Sequence, residues 1–348
     1  MIDASLSLKA KMLSVVALFV VVLQHSSAAV ESTSVAGRIW RNAVAYGIAD
    51  YPVSFFFMLS GFFLSWNLSP GWWIRAVGKR IRSLAIPYLI WCMIGWGIIC
   101  QFQKSCWLDV LGIANHLPIL ESLWYVKVLF VLVLASLPLV CLLNMDGFSS
   151  KVRIGIWMSL YLAFATLCLF RNLPAQKTMI FSTLYFSLGI LISTNLDESV
   201  RLIGWFRRRR NGVIVLCGLL VLLKCLCCNV MGMPETFLRW YVVPTCIVAT
   251  WFLYDIVAEK TRLIAEISRN SFCRTILSGT FFVYCCQDLV MKLIVSGVPA
   301  CGVHGFGRPS MIWGACCLLV SVYMISILLF LVCRFACPIL YGFLSGGR

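Results

Sequence analysis

Long apolar stretches, separated by short polar segments, run along the whole chain. Ten of them are each close to the ~20 residues that an α-helix needs to cross a bilayer. They lie at 10–30, 45–66, 83–103, 123–144, 154–170, 178–194, 212–231, 237–257, 272–295 and 310–334. They are too continuous for the alternating strands of a membrane barrel, and helices satisfy their own backbone in lipid. The pattern therefore predicts an all-α, polytopic membrane bundle of about ten transmembrane helices.

The composition agrees with a protein that lies almost entirely in the membrane. Hydrophobic residues make up 61% of the 348 residues, and charged residues only 12%. A soluble domain of this length needs more charge to cover its surface. We find no segment polar enough for a separate soluble domain, so residues 1–348 are predicted to form one transmembrane domain. Most of the 18 cysteines lie in apolar runs, where a thiol packs as a small hydrophobe, and no metal site is predicted.

Lysine and arginine positions predict the orientation of the helices. If the N-terminus is inside, 19 of the 29 basic residues fall in inner segments and 7 in outer loops. This bias places both termini in the cytoplasm. It also explains most of the net charge of +16, so a nucleic-acid partner is not needed. The four consecutive arginines at 207–210 are then predicted to touch anionic membrane lipids.

The first apolar stretch has a rival interpretation. Lys9 and Lys11, the apolar core that follows and the small residues at 26–29 also resemble a secretory signal peptide. Cleavage there would remove His25 and leave nine spans.

Two ionisable side chains lie at a similar predicted depth in the first two spans. His25 is 16 residues beyond Lys9, or about 24 Å along a helix, in the outer third of the bilayer. Asp50 reaches that depth in the inward-running second span. Such residues are costly in lipid and usually mark a site, so Asp50 is predicted to hold His25 as a general base. Plainer roles stay open: a hydrogen bond to a neighbouring helix for His25, and a helix cap for Asp50.

Three cations precede the third span, within "KRIRSLAIPYLIW" at 79–91. Lys79, Arg80 and Arg82 lie at its predicted cytoplasmic mouth. They are either anchors that fix the orientation or a clamp for phosphates, for which the planar guanidinium is well suited.

Several segments, in matching order, resemble the acyltransferase family 3 membrane proteins, integral-membrane O-acyltransferases of glycans and related acceptors. The stronger matches are "VVVLQHS" (20–26), "FFFMLSGFFLS" (55–65), "KRIRSLAIPYLIW" (79–91) and "SLWYVKVLFVLVLASLPLV" (122–140). Weaker ones lie at 184–193, 279–290 and 337–348. Together they cover essentially the whole chain.

The resemblance implies roles for residues in these segments. It makes His25 the catalytic base, and it links Arg80 and Arg82 to the acyl donor. The aromatic-plus-cation start of the fourth span, a feature of the family, matches Trp124, Tyr125 and Lys127. These three residues, with Gln287, are the candidates for contact with the oxyanion or the acceptor.

Two positions depart from the family pattern. Ser14 stands where many members have an arginine, and Lys11 or Lys9 is the candidate to replace it at the donor. Gln287 stands where many members have a histidine; its amide can form hydrogen bonds but cannot titrate.

The reaction that follows from the resemblance moves an acyl group, most simply acetyl, from cytoplasmic acyl-CoA to a hydroxyl of an extracytoplasmic glycan or lipid-linked sugar. It needs no cofactor besides the acyl-CoA donor, and the expected location is a bacterial plasma membrane. A transporter, flippase or polymerase of lipid-linked glycans is the alternative, suggested by the intramembrane Asp288 and Lys292. A purely structural membrane protein leaves His25 unexplained.

Overall fold

The computed structural model describes residues 4–29, 39–40, 43–48, 51–66, 68, 71–99, 120–143, 149–170, 174–231, 238–300 and 311–347. These residues form helices and turns, with no strand among them. The all-helical class predicted from the apolar stretches is therefore confirmed.

The α-helices vary widely in length. They are α1 (Ala4–Ala29), α2 (Tyr51–Ser65), α3 (Trp72–Arg80), α4 (Ile86–Ile99), α5 (Trp124–Leu134), α6 (Ser136–Leu143), α7 (Ser150–Phe170), α8 (Pro174–Thr194), α9 (Leu196–Arg208), α10 (Arg210–Val230), α11 (Arg239–Lys260), α12 (Leu263–Arg269), α13 (Ser271–Ser278), α14 (Thr280–Ala300), α15 (Met311–Ala336) and α16 (Pro338–Ser345). Short π-helical segments lie at Ala43–Ile48 and Ile81–Ala85, and a 3-10 helix lies at Glu121–Leu123.

Within the described residues, five helices are long and apolar enough to cross a membrane unbroken. They are Ser5–Ser27, Trp72–Ile98, Arg210–Val230, Arg239–Lys260 and Trp313–Ala336. The second of these joins α3, the π-helical segment Ile81–Ala85 and α4 in one continuous helix. Two helix pairs pass the same test with a sharp bend: Met179–Thr194 with Leu196–Arg208 at 105°, and Ser271–Ser278 with Thr280–Val295 at 62°. The protein is thus multi-pass, with five to seven spans in this part of the chain. The count of ten and the cytoplasmic termini stay predictions.

The predicted fourth span is not one helix. Its residues form α5 and α6, which meet at Ala135, three residues before Pro138. Proline cannot donate a backbone hydrogen bond, and its ring clashes with the carbonyl four residues earlier. The apolar pattern predicted the membrane location of this stretch but missed the break.

Packing divides the chain into two compact units. Unit 1 comprises Met1–Ala45, Gly78–Phe130 and Ala265–Arg348, and unit 2 comprises Tyr46–Val77 and Val131–Ile264. All the candidate site residues that the structure describes belong to unit 1, and the arginine run at 207–210 belongs to unit 2.

An aromatic cluster holds one end of unit 1 together. The Phe282 ring of α14 lies edge-on to Trp91 of α4, with ring centroids 5.4 Å apart. Phe330 of α15 packs on Tyr341 of α16 at 5.7 Å, and both rings also contact Phe282. Trp91 Nε1 donates a hydrogen bond to the Leu344 carbonyl at 3.1 Å, which fixes the short C-terminal helix against α4. Aromatic pairs of this kind add to the free energy gained from burial.

Two glycines let α2 and α8 of unit 2 touch backbone to backbone. A Cβ placed on Gly61 would lie 2.0 Å from the Phe186 carbonyl oxygen, and one on Gly189 would lie 2.0 Å from the Met58 carbonyl oxygen. Helices in lipid gain much of their association energy from such close approach at small residues. The two contacts are reciprocal, so the helix pair requires both glycines.

We expect Gly61→Ala to destabilise unit 2 by about 3 kcal/mol, because the added methyl group meets rigid backbone that cannot move aside without separating the helices. The free energy of unfolding is measured in mixed micelles as the fraction of denaturing detergent is raised. Gly218→Ala is the matched control: Gly218 lies in α10 of the same unit, and a Cβ there would meet nothing within 4 Å. A loss of stability that is equal in the two variants would contradict the close-packing argument.

Candidate functional site

His25 lies near the C-terminal end of α1, which is unbroken from Ala4 to Ala29. The side chain is half-buried, and α1 packs along α14 and α15 of unit 1. The separation of His25 from Lys9 by a continuous helix agrees with the sequence prediction. The imidazole therefore stands far along the helix from its basic end.

Three charged residues lie within electrostatic range of His25. They are Asp288 and Lys292, from α14, and Glu121, from the 3-10 helix. Asp288 is 2% exposed, and its Oδ2 lies 3.7 Å from Lys292 Nζ. The same oxygen accepts a hydrogen bond from the Ser122 backbone N–H at 3.5 Å. A buried carboxylate is electrostatically potent, because little water screens it.

Asp288 is a carboxylate within electrostatic range of His25 that the sequence analysis did not pair with it. The predicted partner, Asp50, lies outside the described residues. Asp288 was noted in the sequence only as a charge inside a span, four residues before Lys292. The signal that could have found it is that spacing, since residues i and i+4 of a helix share a face.

Gln287, next to Asp288, is 1% exposed. Among the residues that the structure describes, its side-chain Nε2 has no hydrogen-bond partner. A buried amide N–H without an acceptor raises the free energy of the folded state by about 1–3 kcal/mol. Such a group is a candidate donor to a bound oxygen atom.

Buried aromatic residues connect this charged cluster with Arg80. The Tyr284 hydroxyl donates a hydrogen bond to the Ser122 carbonyl and lies within electrostatic range of Asp288. The Tyr284 ring is edge-on to Tyr125, with centroids 5.5 Å apart, and Tyr125 in turn lies within electrostatic range of Arg80. Tyr284 and Tyr125 thus lie between the charged residues near His25 and the half-buried Arg80.

The predicted cations differ in exposure. Arg80 is half-buried at the end of α3, whereas its neighbours Lys79 and Arg82 are exposed. On α1, Lys11 is exposed and Lys9 is 8% exposed. Arg80 and Lys9 are therefore the cations of these two groups that face the protein interior.

At the start of α5, Trp124 and Lys127 are half-buried and Tyr125 is buried. Lys127 lies within electrostatic range of Cys92 on α4. The aromatic-plus-cation segment singled out in the sequence therefore lies in the interior of unit 1, beside α4 and α14.

The C-terminal tail packs on the π-helical segment that follows Arg80. Gly346 has φ of 69°, and a Cβ there would lie 2.5 Å from Ser83 Cα. Only glycine combines this left-handed backbone with such a close approach. π-Helical segments frequently occur at functional sites, and here the tail covers the one that carries Arg82.

One model of a known protein family matches almost the whole chain. The family model described as an acyltransferase domain, Acyl_transf_3, matches residues 13–331, nearly the whole chain. The chain belongs to the acyltransferase 3 family. The matched region contains the His25 cluster, Arg80 and the start of α5, so this acyltransferase 3 protein is a multi-pass membrane acyltransferase. No curated protein and no solved structure matches the chain.

The two departures from the family pattern have a local structural description. The Ser14 hydroxyl, in place of an arginine, donates to the Ala10 carbonyl at 2.8 Å within α1. The buried cation that lies nearest to Ser14 in the chain is Lys9. Gln287, in place of a histidine, is the buried amide described above.

Proposed function

We propose that this protein transfers an acyl group from acyl-CoA to a hydroxyl of a glycan or lipid-linked sugar, with His25 as the general base. The observation that carries the proposal is the position of His25 within electrostatic range of the buried Asp288. A neutral imidazole accepts the proton, and a nearby carboxylate stabilises the imidazolium that forms. Family membership supports acyl transfer in general, and the donor and acceptor are part of the proposal.

The proposed step is a direct transfer. His25 removes the proton of the acceptor hydroxyl, and the oxygen attacks the thioester carbonyl to form the new C–O bond. The tetrahedral intermediate collapses with cleavage of the C–S bond, and the His25 imidazolium returns the proton to the departing CoA thiolate. His25 is therefore regenerated in its neutral form, with no external acid or base consumed.

Charge develops on the thioester oxygen in this step, and a preorganised donor there lowers the barrier. Gln287 and Lys127 are the proposed donors. Gln287 contributes a buried N–H that has no acceptor among the described residues, and Lys127 contributes a cation in the interior of unit 1. We assign Trp124 and Tyr125 to the acceptor, since aromatic faces suit sugar rings.

Arg80 is the proposed principal ligand of the CoA phosphates. Its half-buried guanidinium is screened less by water than the exposed Lys79, Arg82 and Lys11, which would add longer-range attraction. The sequence prediction puts Arg80 at the cytoplasmic mouth of the third span; in the structure it lies within the candidate span Trp72–Ile98, so the proposal has the CoA phosphates enter the protein from the cytoplasmic side to reach it. The thin pantetheine arm would then reach from Arg80 along Tyr125 and Tyr284 towards His25.

Radiolabelled acetyl-CoA tests the function directly. The purified protein is added to plasma membranes prepared from a bacterial strain that lacks the gene for this protein. The radioactive label is then followed into lipid-linked glycan. We expect stable label on the glycan, released by mild base as for an oxygen ester, and none with His25→Gln. Transmembrane movement of unlabelled, unmodified glycan without any ester would contradict the proposal and favour a flippase or transporter.

A further inference from the structure

Helix α9 turns away from the span that precedes it. It is bent by 105° from α8 at Asn195, and α10, a candidate span, begins directly after it at Arg210. A helix close to perpendicular to a membrane span lies near the plane of the membrane surface. With α8 taken as the membrane-crossing part of this bent pair, α9 runs along one face of the bilayer from α8 to α10.

The apolar side chains of α9 are left uncovered by the protein. Leu196, Val200 and Ile203 recur at intervals of four and three residues, so they share one face. Val200 is 64% exposed and Ile203 40% exposed. The opposite face carries Asp197 and Arg201, both exposed, and Arg208, in the last turn, lines the cleft at the end of the helix. This division is typical of a helix that lies in the interface with its apolar side among the acyl chains.

Four consecutive arginines form a cleft where α9 meets α10. The cleft has a volume of about 660 Å³ and is lined by Arg207, Arg208, Arg209 and Arg210 together with Gly204, Asn211, Gly212 and Glu259. Glu259 binds two of the arginines, Arg207 at 2.9 Å and Arg210 at 2.6 Å. One carboxylate thus fixes two guanidinium groups and leaves the cleft strongly positive.

The two remaining arginines are available to a ligand. Arg208 and Arg209 are exposed, and the Arg209 guanidinium lies 4.3 Å from the centroid of the Trp205 ring. Trp205 is itself exposed, as is common for tryptophans at the level of lipid headgroups. An aromatic ring beside a cation at that level suits a ligand with both a phosphate and an apolar part.

We propose that α9 and the arginine cleft form a binding site for anionic phospholipid on the membrane surface. The phosphate of the lipid headgroup lies in the cleft against Arg208 and Arg209, and the acyl chains lie along the apolar face of α9. The site is separate from the His25 cluster and does not depend on acyl transfer. Two spans joined by this helix would then be held at a fixed depth by the lipid.

The test uses the purified full-length protein in neutral detergent, titrated with phosphatidylglycerol or, as a zwitterionic reference, phosphatidylcholine. Native mass spectrometry measures the lipid that stays bound. We expect tighter retention of phosphatidylglycerol, and an affinity about tenfold lower in the Arg208→Gln/Arg209→Gln double variant, because two cations near the headgroup are lost. Phosphatidylcholine retention should be the same in both proteins.

Arg262→Gln/Arg269→Gln is the matched control, since it removes two exposed arginines elsewhere in the chain. This control is expected to bind phosphatidylglycerol as the unmodified protein does, and Arg208→Lys/Arg209→Lys should retain most of the affinity. An equal loss in the two glutamine variants would mean that net charge alone attracts the lipid, and it would overturn the site. Displacement of phosphatidylglycerol by millimolar inorganic phosphate would equally overturn a lipid site in favour of a free-anion site.

Discussion

Replacing His25 with glutamine is expected to lower the rate of acyl transfer by about a thousandfold, the typical contribution of a positioned general base. Glutamine keeps polar atoms in place of the ring but cannot accept the hydroxyl proton at neutral pH. The measurement is the turnover of labelled acetyl-CoA into glycan ester by the purified, reconstituted protein. The affinity for acyl-CoA, measured in the absence of acceptor, should change little, because His25 acts on the acceptor hydroxyl.

Two further variants make the His25 experiment decisive. His304→Gln is the same substitution at a histidine outside the candidate site, between the apolar stretches at 272–295 and 310–334, and it should leave the rate unchanged. Asp288→Asn keeps the size of the side chain and removes the charge that faces His25, so we expect a rate about tenfold lower with the same acyl-CoA affinity. If the His25→Gln protein folds, binds acyl-CoA and turns over at the original rate, His25 is not the base.

Replacing Arg80 with alanine is expected to raise the KM for acetyl-CoA by about tenfold to a hundredfold, the value of a charge-assisted hydrogen bond to phosphate in a partly buried position. The KM for the glycan acceptor should stay the same. Acetyl-pantetheine, which lacks the nucleotide and its phosphates, separates the possible causes. With this donor, the protein with Arg80 and the Arg80→Ala variant should react at similar rates.

Arg82 provides the comparison for this experiment. It follows Arg80 by two residues but is exposed, so its contribution is screened by water and salt. We expect Arg82→Ala to raise the KM for acetyl-CoA by about threefold at most. If Arg80→Ala slows the reaction of acetyl-pantetheine as strongly as that of acetyl-CoA, Arg80 supports the fold of the site and does not bind phosphate.

The class of the fold and the protein family could both be predicted from the amino-acid sequence. Apolar runs of membrane-spanning length predict helices because lipid offers the backbone no other partner. The run that contains His25 is one continuous helix, α1, as expected. The order of the short motifs also indicated the acyltransferase 3 family, which the match to residues 13–331 shows.

The breaks within the apolar runs were beyond the sequence pattern. Hydropathy shows how apolar a stretch is and not the direction that its helix axis takes. It therefore predicted 178–194 and 272–295 each as one simple span. In the structure, a 62° bend separates α13 from α14 inside 272–295. The 105° bend between α8 and α9 lies at Asn195, directly after 178–194, so that stretch ends where the sequence predicted. Such bends depend on what the neighbouring helices offer to the freed backbone groups.

Which side chains meet depends on how the helices pack. The sequence placed Asp50 and His25 at the same depth, but depth along a helix does not specify the neighbouring helix. The structure brings Asp288 of α14 within electrostatic range of His25. It also brings Tyr125 within electrostatic range of Arg80, although the sequence prediction put these two residues at opposite faces of the membrane. The structure also shows that Arg80 is half-buried and Arg82 exposed. Which side of a helix is buried depends on how the helix is rotated against its neighbours. A sequence with apolar residues on every face of its helices does not specify that rotation.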